Sequence, residues 1–125
     1  MKLIFDTYAW MEYFEGSEKG KIVRKYLEDY EVLTPSVVLL ELSYKADEEK
    51  WDFKKHLSFI KLNSRIIGFN DDFILSFGKV YNDTKKKVKG IGFTDIIILT
   101  SALVNEAKIL TGDHHFSSFS EAVLL

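Results

Sequence analysis

Four acids stand where carboxylates can do chemistry: Asp6, Glu41, Asp95 and Asp113. Asp6 ends the short apolar run Lys2–Phe5. Glu41 is a lone acid amid Val37, Val38, Leu39, Leu40 and Leu42. Asp95 opens the apolar stretch FTDIIILTSALV, and Asp113 closes KILTGD. If the short apolar runs are strands of a parallel sheet with helices between them, strand ends and helix starts share one edge. That edge is where α/β folds bind ligands. Four carboxylates gathered there repel one another, and desolvation makes their charge costlier still. Divalent cations relieve both effects, and Mg²⁺ or Mn²⁺ prefers such oxygen donors. A cation held by carboxylates and open on one side can position a water, lower its pKa and offset charge on phosphate oxygens. This chemistry suits phosphodiester hydrolysis. Thr7, Thr94 and Thr111 lie beside the acids, with hydroxyls able to orient carboxylates or waters. A plainer role competes at each position. Asp6, Asp95 and Asp113 each suit a helix N-terminus, and Glu41 suits an exposed helix face. The coincidence of all four at equivalent places favours a shared site.

The elements that would position these acids follow from apolar spacing. Lys2–Phe5, Glu31–Thr34, Arg65–Gly68 and Lys108–Thr111 read as strands, with Val123–Leu125 as a last edge strand. A helix follows Asp6, with Trp10 and Phe14 one turn apart, and stops at Gly16. Ser17 suits the cap of a second helix reaching about Asp29. Pro35 suits the first turn of a third, with Thr34 as its cap. Further helices are expected from about Lys50 to Lys61 and after Asn70 or Asp71. Another starts at Thr94–Asp95 and is apolar on most of its circumference, hence buried on several sides. A short turn near His115–Phe119 comes after the fourth strand. The alternation predicts an α/β fold: a mainly parallel sheet of four or five short strands with helices on both faces.

Bulk properties narrow the function. The 125 residues suit a single domain, 1–125, and the net charge of −2 argues against a molecule that attracts nucleic acid over its whole surface. Polyanion binding would need a local basic patch and bridging cations. With no cysteine, disulfides and thiolate metal sites are excluded. Asp6 interrupts the first apolar run too early for a signal-peptide core, and no apolar run approaches membrane-spanning length. A cytoplasmic protein with no membrane association is the expectation. Gly90-Ile91-Gly92 is no dinucleotide fingerprint, because Asp95 stands where the third glycine belongs.

Taken in order, FDTYAW, PSVVLLEL, FTDIIILTSA and ILTGDHHF resemble the PIN domain family, and within it the VapC-type ribonuclease toxins. The resemblance covers nearly the whole chain. It implies a PIN-like three-layer α/β/α sandwich and a Mg²⁺- or Mn²⁺-dependent endoribonuclease acting on RNA, usually a homodimer. It also implies an antitoxin protein whose tail fills the acidic cleft. Asp6, Glu41, Asp95 and Asp113 fall on the family's catalytic, metal-holding acids, and Thr7 and Thr111 on its small hydroxyl residues. The chain departs from the usual pattern at His114–His115, where a Lys or Asp is commoner. That pair lacks the helical spacing of a zinc site and reads as a surface turn. Lys45, one turn beyond Glu41, and the basic run Lys85, Lys86, Lys87 and Lys89 are candidate contacts for RNA phosphates. A solvated helix end explains the run equally well. Two other readings stay open: a PIN nuclease of RNA processing with no antitoxin, and a non-catalytic PIN-like binding module.

Overall fold

The computed structural model describes residues 1–125. The chain runs β1 (Lys2–Phe5), α1 (Thr7–Glu15), α2 (Glu18–Asp29), β2 (Glu31–Pro35), α3 (Ser36–Glu49) and α4 (Phe53–Asn63). It continues through β3 (Arg65–Ile67), α5 (Asp71–Lys87), α6 (Phe93–Asn105), β4 (Lys108–Thr111), a 3₁₀ turn (His114–Phe116) and β5 (Ala122–Leu124). The five strands form one sheet in the order β3-β2-β1-β4-β5. Every pairing is parallel, as the alternation of strands and helices requires. Helices flank the sheet, so the expected α/β architecture is the one observed. No helix is long and apolar enough to cross a membrane.

The strand order carries the functional geometry. Connections leave β1 toward β2 on one side, and β4 toward β5 on the other. The β1–β4 boundary is therefore a topological switch point, where a crevice opens at the carboxyl ends of the strands. Register places Phe5 beside Leu110, so the residues that follow these strands face the same crevice.

The core forms around β1, β2 and β4, whose Leu3, Ile4, Phe5, Leu33, Ile109 and Leu110 are fully buried. Trp10 is the largest fully buried side chain. It packs on Phe5, Tyr13, Phe14 and Phe59, and its indole N–H donates to Thr34 Oγ1 at 3.1 Å. That contact removes Thr34 from the capping role expected of it. Pro35 precedes α3 without a side-chain cap, while Thr34 Oγ1 also pairs with Ser64 Oγ at 2.8 Å. The helix expected from Lys50 begins later, at Phe53. Lys50 turns into the left-handed region (φ 63°), and Asp52 caps α4 through Lys55 N–H.

Helix α6 is buried continuously from Ile96 to Ala102, as its composition demands. Its start differs from expectation: the cap is Gly92, and Thr94 and Asp95 lie inside the first turn. Beside α5 and α6 an apolar groove stays open, lined by Phe69, Phe73, Ile74, Phe77, Phe93 and Ile97. Gly20 marks where α1 and α2 meet: a Cβ there would lie 2.1 Å from the Glu12 carbonyl oxygen.

Candidate active site

The crevice at the β1–β4 boundary is a cleft of about 420 Å³, and all four acids line it. Each arrives from a different segment. Asp6 follows β1, Glu41 lies in the second turn of α3, Asp95 in the first turn of α6, and Asp113 follows β4. Adjacent parallel strands carry Asp6 and Asp113 to one edge, where α3 and α6 present Glu41 and Asp95.

Asp6 is the deepest, only 5% exposed. It caps α1, accepting the Ala9 N–H at 2.8 Å, so capping and site membership coexist in one carboxylate. Burial pushes its carboxyl up from 3.8 to about 7, against the lowering effect of hydrogen bonds with Thr111 and Ala9. Repulsion from Asp113 and Asp95 adds to the rise. Asp95, half-buried, is also raised, first by burial and next by Asp113; a Gly92 backbone hydrogen bond and His115 act the other way. Both carboxylates thus sit where their negative charge is poorly compensated.

The neighbouring hydroxyls divide. Thr7 Oγ1 donates to Glu41 Oε1 at 2.6 Å and fixes that carboxylate across the cleft. Thr111 is fully buried; its Oγ1 accepts the Asp113 N–H at 2.9 Å while its side chain also partners Asp6. Thr111 therefore holds the two strand-end acids in mutual register. Thr94 does not line the cleft. Starting α6 at Phe93 turns this residue away from the position that a capping threonine would have occupied.

The lysines divide as well. Lys45 lines the cleft beside Glu41. Lys85 donates instead to the Ile91 carbonyl at 3.0 Å, pinning the connection into α6. Lys86, Lys87 and Lys89 are exposed and lie outside the cleft lining. The turn carrying Lys89 does pass the cleft mouth, since a Cβ on Gly90 would lie 3.6 Å from His115 Nε2.

One neighbour of the acids, His115, reads from the sequence only as part of a surface turn. Asp113 Oδ1 accepts the His115 N–H at 2.9 Å and lies 3.0 Å from His115 Nδ1. Asp95, Asp113 and His115 each offer one donor atom, and these atoms lie within 4.8 Å of one another. The signal was the Asp113–x–His115 spacing, short enough for one loop to present both groups. The donor set fits a divalent cation: carboxylate oxygens in excess, crowded enough to repel, with Lys45 the one basic residue in the lining.

The fold recurs in solved structures. In fold, the chain is similar to a chain of VapBC2 from Rickettsia felis bound to a promoter DNA fragment, with TM-score 0.80 and 19% identity, covering 100% of this chain and 98% of that one. It is similar also to a chain of a toxin–antitoxin complex from Klebsiella pneumoniae, with TM-score 0.75, 17% identity and coverage of 97% and 95%. A chain of DNA-bound VapBC from Salmonella typhimurium gives TM-score 0.73, 15% identity and coverage of 100% and 97%. No curated protein matches the sequence. The family model described as PIN domain matches residues 3–122. A match over nearly the whole length, joined to the parallel sheet and its acid-lined switch-point cleft, makes this chain a member of the PIN domain family.

Proposed function

We propose that this chain is a divalent-metal-dependent endoribonuclease and the toxin of a toxin–antitoxin pair. The observation that carries the reading is the convergence of Asp6, Glu41, Asp95 and Asp113 in one cleft of a PIN-family chain. Asp6, Glu41, Asp95 and Asp113 would hold Mg²⁺ or Mn²⁺. When bound, the cation supplies Lewis acidity toward a phosphodiester and a lowered pKa for water. The chain's own residues do the rest. Burial of Asp6 and Asp95 keeps their charge unsatisfied and ready for a cation. Thr7 fixes the Glu41 carboxylate, and Thr111 ties Asp113 to Asp6. Lys45 offers the cleft a positive charge for a phosphate, and Lys89 at the mouth offers another to the RNA strand. Lys86 and Lys87 extend the basic path, while Lys85 holds the turn in shape.

An antitoxin partner is supported by similarity to structures described as VapBC or toxin–antitoxin complexes. A homodimer and a cytoplasmic setting follow from the family resemblance. The test is cleavage of a mixed-sequence RNA by purified protein with Mg²⁺ or Mn²⁺, with EDTA, and with Asp95→Asn. Metal-dependent cleavage that the variant loses supports the nuclease. Unchanged cleavage by Asp95→Asn refutes the assignment. Growth arrest on expression, relieved by a neighbouring gene's product, separates a toxin from an RNA-processing nuclease.

A further inference from the structure

We propose that His115 is a metal ligand, joining Asp95 and Asp113 in a mixed carboxylate–imidazole subsite at the cleft mouth. This subsite favours nitrogen-accepting first-row ions such as Co²⁺ and Zn²⁺ over Mg²⁺. The inference rests on the reading of the cleft as a divalent-metal site.

Asp95, Asp113 and His115 form the one trio of carboxylate and imidazole groups whose donor atoms all lie within 4.8 Å of one another. Two ligands sharing one ion through bonds of about 2.1 Å stand at most about 4.2 Å apart, so a small closure completes the site. His115 is held in place by its own backbone, whose N–H donates to Asp113 Oδ1 at 2.9 Å. The Gly90 turn passes close to the ring, since a Cβ there would lie 3.6 Å from Nε2. An ordinary His–Asp pair accounts for the 3.0 Å contact between Nδ1 and Asp113. It does not account for a second, half-buried carboxylate, Asp95, drawn into the same space. A cation between the three resolves that crowding.

The donor set determines which ion is preferred. Mg²⁺ demands octahedral oxygen coordination and gives up its waters reluctantly, so an imidazole adds little to its affinity. Imidazole suits later first-row ions, whose affinity for such sites exceeds that of Mn²⁺. His115, rather than the acids, would then set the ranking among ions.

The experiment titrates the purified full chain with Co²⁺ and with Mg²⁺ by calorimetry, and records the visible spectrum of bound Co²⁺. Wild type is compared with His115→Ala, His114→Ala and Asp95→Asn, each checked by melting temperature. Loss of His115 is expected to weaken Co²⁺ binding about tenfold or more and to change the Co²⁺ spectrum, with Mg²⁺ affinity kept within about twofold. His114→Ala should alter neither. The proposal is overturned if His115→Ala binds Co²⁺ with wild-type affinity and spectrum, or if both ions weaken equally. If wild type takes up no divalent ion, or Asp95→Asn binds as well as wild type, the metal reading of the whole cleft falls with it.

Discussion

Replacing Asp6 by Asn separates the consequence of burial from that of capping. Asp6 is 5% exposed, and burial raises its carboxyl from 3.8 to about 7. Between those two pH values the folded protein keeps a proton that the unfolded chain has released. Stability therefore falls as pH rises through that window and levels off above it. At about 1.4 kcal/mol per pH unit the fall totals about 4 kcal/mol. Asn keeps the shape, still accepts the Ala9 N–H, and has no charge to desolvate. It leaves the Thr111 hydroxyl a poorer partner, at a cost of about 1 kcal/mol. In EDTA at pH 8, Asp6→Asn should be about 3 kcal/mol more stable than wild type, a rise in Tm of about 10 °C. Near pH 4 the two should melt together, or the variant slightly lower. Melting followed by circular dichroism across this pH range measures the effect. Equal Tm values at pH 8, or a gap that persists on acidification, would refute burial as the cause of the shift. Added Mn²⁺ should raise the Tm of wild type at pH 8 more than that of the variant, and the variant should not cleave RNA.

Other perturbations test the frame around the acids. Thr7→Val removes the donor to Glu41 Oε1 and should slow RNA cleavage about tenfold; Thr7→Ser should retain it, with kcat as the readout. Gly20→Ala sets a Cβ 2.1 Å from a backbone oxygen that cannot swing aside. It should cost about 3 kcal/mol in urea unfolding, and an unchanged midpoint would mean that α1 and α2 are less tightly joined. Gly112→Ala drives a Cβ to 2.2 Å from the Tyr8 ring, so the ring must leave its place beside the cleft. Its Tm should drop, and combining it with Tyr8→Ala should recover part of the loss.

The first four strands were legible because each short apolar run ends in a polar residue or a turn, and β5 because an apolar run resumes after the polar Ser117–Glu121 stretch. The buried face of α6 was legible for a similar reason: Ile96 to Leu99 leave no polar side to expose. Local competition for hydrogen bonds was not legible. Thr34 looks like a cap until the Trp10 indole, from another helix, claims its hydroxyl. Asp95 looks like the first residue of its helix, but α6 begins two residues earlier. The same limit explains His115. Its link to Asp113 is local, whereas its nearness to Asp95 depends on how α6 docks against the loop after β4. The acids themselves were legible as a set because a parallel sheet sends every strand end to one edge, whatever the order of the strands. That Asp6 and Asp113 face each other across adjacent strands depends on the β1–β4 pairing, which no local pattern encodes.

That pairing also sets a timetable. β1 is made long before β4, yet they are neighbours, with Phe5 beside Leu110. A chain emerging from the ribosome displays Asp6 and Glu41 long before the partner strand exists, and contacts between distant segments form late. Under the proposed function, the protein is synthesised on a machine made largely of RNA. The topology then acts as a delay, because the cutting site does not exist until β4 has docked. Nascent chains arrested before β4 should leave RNA intact, and cleavage by such chains would show that the acids assemble without it.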